Sequence, residues 1–131
     1  MNLRYEEKPG LTPEQVAALR ESVGWDGISE LYEKILGTTY FCVGCFDGDT
    51  LVGYVDVVSD GVCDAYIRDL VVHPDYQWKG IGSKLLSIAI EKVKEDGIYA
   101  TNTLFEPALT DFYKKAGFHI MSGGIIINKK Q

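Results

Sequence analysis

The chain has 131 residues, 46% hydrophobic and 24% charged, a profile that suits one globular domain over 1–131 with a single core. Lys and Arg number 13 and Asp and Glu 19, for a net charge of −6. That balance disfavours nucleic acid, whose phosphates draw on clustered cations, and mildly favours a cationic partner such as an amine. No apolar run approaches the roughly 18 to 20 residues of a membrane helix, and Met1 to Lys8 lack a secretory apolar stretch, so a cytoplasmic location without membrane contact is expected.

In chain order, Leu3 to Glu6 reads as a short strand broken by Pro9-Gly10. Thr12-Pro13-Glu14-Gln15 is a helix start, with Thr12 as N-cap, Pro13 in the first turn and Gln15 closing a capping box. Val16, Leu19 and Val23 continue one apolar face as far as Gly24. A second helix is expected from Ser29 to Leu36, ended by Gly37. Trp25 and Tyr32 in this region are expected chiefly as core packing, with lining of a pocket for an amine as the alternative.

Tyr40 to Phe46 and Leu51 to Val58 are strand-like runs, and Asp47-Gly48-Asp49 between them signals a hairpin. Cys42 and Cys45 have C-x-x-C spacing, yet residues three apart on a strand face opposite ways. With Cys63 they make 3 cysteines, which argues against a disulfide framework; the pair is expected as small buried hydrophobes. Ala65 to Val72 is a third strand, apolar on both faces in its later part and therefore central in a sheet. His73-Pro74-Asp75 ends it.

Gly82 to Glu95 has helical periodicity, with Ile81, Leu85, Leu86, Ile88, Ala89 and Val93 on the apolar side. Ile98 to Phe105 reads as a strand. Pro107 opens a helix to Ala116 with Gly117 as its C-terminal glycine. Phe118–Met121 and Ile125–Asn128 read as two last strands. The order predicts a mixed α/β (α+β) fold, a mostly antiparallel sheet with helices packed on it.

The informative segment runs from Leu70 to Leu86. A central strand stops at Pro74, a short loop follows, and Gln77-x-x-Gly80-x-Gly82 leads into the long helix. Glycines at such a junction let main-chain N–H groups approach a ligand. The first N–H groups of a helix lack internal partners, and with the helix dipole they form an anion site suited to a pyrophosphate. Lys79 and Lys84 can add positive charge at its rim. A third dinucleotide glycine is missing, and no Gly-Lys-Ser/Thr follows for a P-loop.

The pattern Val71-Val72-x-Pro74-x-Tyr76-Gln77-x-x-Gly80-Ile81-Gly82-x-x-Leu85-Leu86 resembles the acyl-CoA signature of the GNAT N-acetyltransferase superfamily. Phe112-Tyr113-Lys114-Lys115-Ala116-Gly117-Phe118 is similar to the family's C-terminal signature. The element order is similar over nearly the whole chain. The resemblance implies the GNAT fold, a central sheet of about six to seven strands flanked by about four helices. It implies that acetyl-CoA is held by Gln77, Trp78, Lys79, Gly80, Ile81, Gly82 and Ser83 at the pyrophosphate. Leu70, Val71 and Val72 would hold the pantetheine arm, with Tyr113 close to the sulfur. It implies transfer of the acetyl group to a primary amine of a small molecule or protein by direct attack on the thioester, with no metal. Tyr113 is then the general acid that protonates the departing thiolate.

One departure is Glu106-Pro107-Ala108-Leu109, where the family often has Asn-x-x-Ala. A carboxylate only accepts hydrogen bonds, whereas an amide also donates. Glu106 and Asp69 are the first base candidates, beside Asp56 and Asp64. Tyr66 stands where some members carry a glutamate and is no base at neutral pH. His73 and His119 have a suitable pKa class. The alternative function is an acetyl-CoA-binding regulatory module acting on a protein partner without turnover. A monomer and a homodimer are both compatible with the sequence.

Overall fold

The structure, a computed structural model, describes residues 1–129. Strand β1 (Leu3–Glu7) leads to helices α1 (Pro13–Ser22) and α2 (Ser29–Thr38), then strands β2 (Phe41–Asp47), β3 (Thr50–Ser59) and β4 (Asp64–Val72). A 3-10 turn at Pro74–Tyr76 precedes helix α3 (Ile81–Glu95); strand β5 (Ala100–Thr103) and helix α4 (Thr110–Lys115) complete the described elements. The sheet runs in the order β1-β2-β3-β4-β5. Its first four strands are antiparallel and β4 pairs with β5 in parallel. That parallel pair is bridged by α3, the crossover such a connection needs.

Local chemistry accounts for the start of α1. Thr12 Oγ1 accepts from the Gln15 N–H at 3.2 Å while Gln15 Oε1 accepts from the Thr12 N–H at 2.8 Å. This reciprocal cap satisfies two donors that α1 cannot satisfy internally. Helix α2 continues through Gly37 to Thr38 rather than ending at the glycine. Its cap is Thr39, whose hydroxyl donates to Asp56 Oδ1 at 2.5 Å. A tertiary anchor on β3 thus fixes that end.

Both sheet faces are covered. Val43, Cys45, Val55, Val57, Ala65 and Ile67 pack on the α3 residues Leu85, Leu86, Ala89 and Val93. On the other face Cys42, Phe46, Tyr54 and Val71 meet Val16, Leu19 and Tyr32 of α1 and α2. Cys42 and Cys45 therefore point to opposite faces, and both are buried free thiols. Burial pushes the Cys42 thiol up to about 11, which keeps it protonated and unreactive.

Three expectations are corrected. The strand expected over Ile98–Phe105 is confined to Ala100–Thr103, because Leu104 to Glu106 turn away from β4 to line a cavity. The helix expected from Pro107 begins as a 3-10 turn, Pro107–Leu109, before α4; Glu106 makes no side-chain cap there. The strands expected at Phe118–Met121 and Ile125–Asn128 do not form, so the described sheet has five strands. Met121, Ile125, Ile126 and Ile127 are at least 70% exposed. A β-branched run without a face to bury or a ladder to join has little to hold it as a strand.

Candidate active site

Strand β4 leaves its neighbours at two places. Tyr54 pairs with Val71 and Asp56 with Arg68, so Val55 alone faces both Asp69 and Leu70. This is a β-bulge, and Asp69 takes a left-handed conformation at φ 55°, which Asp tolerates better than most residues. On the other side the ladder to β5 ends at Ile67 and Thr103. From there β4 runs on to Val72 without β5.

The exposed edge of β4 has a defined polarity. The His73 N–H donates to Val52 O at 2.9 Å. Alternate residues of an antiparallel strand bond to the same neighbour. Val71 therefore bonds toward β3, and the Val72 main chain faces the opening. The Val72 carbonyl accepts from Gln77 Nε2 at 2.9 Å, consistent with that direction.

The first half of the loop after β4 is tied down. The Asp75 N–H donates to His73 Nδ1 at 3.1 Å, and Tyr76 Oη donates to Asp47 Oδ2 at 2.6 Å. Trp78 is fully exposed and, like Gly80, adopts positive φ, 65° and 83° respectively. Gly80 caps α3 without a side chain. The first bond of the helix is Lys84 N–H to Gly80 O at 3.1 Å, which leaves the N–H groups of Ile81, Gly82 and Ser83 without partners inside the helix. Nothing lies within 4 Å of a Cβ built on Gly80. The junction is thus an open array of donors at the positive end of a helix of 15 residues.

The opening between β4 and β5 continues into a cavity of about 430 Å³. Its lining includes Leu70, Phe105 and Tyr113 together with Arg20, Trp25 and Arg68. Tyr113 is buried, stacked on Phe105 at 4.3 Å and edge-on to Phe112 and Phe118. Burial raises the Tyr113 phenol above its ordinary value, partly offset by a hydrogen bond with Thr103. The phenol therefore keeps its proton at neutral pH.

The profile of the Acetyltransferase (GNAT) family matches residues 7–118. The chain belongs to the GNAT family. Its described β4–loop–α3 unit fits acetyl-CoA: an open strand edge, unpartnered helix N–H groups and a glycine that leaves the approach clear. Similar solved GNAT-fold proteins include a protein of meticillin-resistant Staphylococcus aureus described as a probable acetyltransferase. Identity is 26% over 97% of this chain and 99% of that one, with a TM-score of 0.89. A GNAT family acetyltransferase of Streptococcus pneumoniae is 31% identical over 98% and 99% of the two chains, with a TM-score of 0.83.

An uncharacterized ycf52-like N-acetyltransferase of Prochlorococcus marinus is 29% identical over 84% of this chain. The ycf52 N-acetyltransferase of Pyropia yezoensis is 42% identical over 52% of it. The chain spans 64% and 39% of these two relatives. Among the relatives is also a chloroplastic GCN5-related N-acetyltransferase of Arabidopsis thaliana, 34% identical over 51% of this chain. Among the described residues no helix is long and apolar enough to cross a membrane.

The remaining candidates of this GNAT site fall in five places. Asp69 and Glu106 both line the cavity. Asp69 is already engaged on both oxygens: Arg20 Nη1 donates to Oδ1 at 2.7 Å and the Tyr32 hydroxyl donates to Oδ2. Glu106 is exposed, and Tyr66 lines the same wall with its phenol raised by burial. Asp56 lies fully buried behind the wall, holding the hydroxyls of Thr39 and Tyr54. Asp64 stands at the far end of β4, where it accepts from Asn102 Nδ2 at 3.1 Å. His73 belongs to the loop, and His119 is exposed outside any strand.

Sequence reasoning missed the arginines. Arg20 on α1 and Arg68 on β4 are 48 positions apart in the chain and meet only through the fold. Trp25, expected in the core, is 40% exposed. Arg20 lies over its ring at 5.3 Å. Alternation along β4 does place Tyr66 and Arg68 on the face opposite Ala65 and Ile67, but only the bulge turns Asp69 onto the Arg68 side.

Proposed function

We propose that the chain is an acetyl-CoA-dependent N-acetyltransferase acting on a primary amine. The observation that carries this reading is the opened edge of β4, which lies between the free N–H groups of α3 and the buried phenol of Tyr113. Gln77 to Ser83 would hold the pyrophosphate through main-chain N–H groups, with Lys79 and Lys84 at the rim. Leu70 to Val72 would hold the pantetheine arm, with the Val72 main chain turned toward it. Acetyl-CoA supplies an activated acyl thioester. Tyr113 keeps a proton on its phenol oxygen in the cavity wall, where a leaving thiolate needs one. Glu106 offers an exposed carboxylate to the amine, directly or through water. Asp69, held by Arg20 and Tyr32, is better suited to fixing the wall than to taking a proton. The buried free thiols agree with a reducing compartment such as the cytoplasm.

A second reading, a regulatory module that binds acetyl-CoA without turnover, is favoured by one observation. Both Asp69 oxygens are engaged and Tyr66 keeps its proton, so Glu106 is the one carboxylate of the wall left to take a proton. One series of measurements separates the two. Calorimetric titration with acetyl-CoA should show saturable binding that Gly82→Trp removes by filling the cradle. Thiol release with a panel of amines should then fall about 10²-fold in Tyr113→Phe, with acetyl-CoA affinity unchanged. Thiol release insensitive to Tyr113 would end its assignment as the acid. Binding without thiol release from any amine would favour the regulatory module.

A further inference from the structure

We propose that the acceptor amine carries a carboxylate and that Arg68 receives it, so that the substrate belongs to the amino-acid class. This deepens the N-acetyltransferase reading and rests on it. The cavity wall holds two arginines, and they differ in what they have left to give. Arg20 is tied on two nitrogens: its Nε donates to Asp26 O at 2.7 Å, its Nη1 donates to Asp69 Oδ1 at 2.7 Å, and its guanidinium lies over Trp25. Arg68 is not. Its Nε is buried and faces Asp56 Oδ1 at 3.4 Å, an ion pair without hydrogen-bond geometry. The side chain is 28% exposed, and among the described residues no hydrogen bond or ion pair engages its terminal nitrogens Nη1 and Nη2. Arg68 thus brings a charge and unspent donors to a wall that it shares with Tyr113.

A guanidinium that lines a cavity with its two terminal nitrogens unbonded can take a ligand there. A guanidinium fork matches a carboxylate in geometry as well as charge. A dianionic phosphate fits less well, because Asp69 and Glu106 stand in the same wall and would repel the second charge. The same Glu106 suits the ammonium end of the acceptor. One molecule with both groups therefore answers the two unlike charges of the wall. A cavity of about 430 Å³ accommodates a small molecule of this kind.

The test uses the twenty free α-amino acids, each beside its carboxamide and its decarboxylated amine. Thiol release from acetyl-CoA is measured with the full chain, with Arg68→Met and with Arg68→Lys. Binding of the same compounds to the chain saturated with CoA is titrated in parallel. Acetyl-CoA affinity serves as the check that each variant is folded. At least one amino acid should exceed its carboxamide and amine at least tenfold in kcat/KM or affinity. Arg68→Met should erase that preference, and Arg68→Lys should keep part of it, having the charge without the fork. Equal use of the three forms, a preference that survives Arg68→Met, or failure of every amino acid to bind would overturn the inference. Turnover of plain amines without the preference defeats this inference and leaves the acetyltransferase standing. A carboxylate preference in binding without turnover does the reverse.

Discussion

Asp56 is fully buried in β3 and carries the strongest local demand on the sequence around it. Two hydroxyls, from Thr39 and Tyr54, and the Arg68 guanidinium are grouped about its carboxylate. Replacing it with alanine strands both hydroxyls in a place that water does not reach and takes the counter-charge from Arg68. Asp56→Ala should therefore cost about 3 to 5 kcal/mol, read by urea unfolding. Burial raises its pKa above the ordinary 3.8, against the hydrogen bonds from Thr39 and Tyr54 and the charge of Arg68. The folded state then holds the proton to higher pH than the unfolded chain does. Stability is greatest below 3.8 as far as this group is concerned, and declines as pH rises through its raised value. Asp56→Asn, which cannot ionise, should lack that decline. The difference in unfolding free energy between wild type and Asp56→Asn, followed from acid to neutral pH, isolates it from the other carboxylates. A difference that stays flat across that range would show that Asp56 does not hold its proton.

At the scale of elements, the β4–loop–α3 unit was legible because its cues are local. Pro74 stops the strand, Gly80 supplies the positive φ that caps α3, and Ile81, Leu85, Leu86, Ala89 and Val93 repeat at the helical period. The bulge at Asp69 and Leu70 was not legible, because it is a mismatch between β3 and β4 that neither strand shows alone. The polar cluster of Arg20, Tyr32, Asp56, Arg68 and Asp69 was hidden for the same reason: its members come from α1, α2, β3 and β4. The C-terminal run was over-read, since its isoleucines have strand propensity but no face to bury. Two glycines of the cradle can be told apart by experiment. A Cβ on Gly80 meets no atom within 4 Å, yet its φ is 83°. Gly80→Ala should cost about 1 to 2 kcal/mol of stability from backbone strain alone, and it should weaken acetyl-CoA binding. A Cβ on Gly82 makes ordinary contact with Phe112 at 3.7 Å, so Gly82→Ala should leave the unfolding midpoint nearly unchanged. Equal stability losses in the two variants would contradict this account of the cap.

For the molecule as a whole, the distance between the α3 layer and the sheet is the quantity that places the cofactor loop against β4. Gly53 on β3 sets it. A Cβ there would lie 2.9 Å from Leu85 Cδ1 and 3.0 Å from Ile81 Cγ2, both fully buried side chains of α3. Neither can swing into solvent, so the helix must move off the sheet or the side chains must leave their rotamers. Gly53→Ala should cost about 1 to 3 kcal/mol by overpacking. Because Ile81 is the first residue of α3, the same displacement reaches the N–H groups of the cradle. Acetyl-CoA affinity should therefore fall, although Gly53 lies outside the proposed site. The double variant with Leu85→Val distinguishes this from a simple loss of strand propensity. Shortening Leu85 removes the atom at 2.9 Å, so the two changes together should cost less than their sum, in stability and in acetyl-CoA affinity alike. Strictly additive losses would mean that the sheet and α3 are not held apart by this contact, and that the position of the loop is set elsewhere.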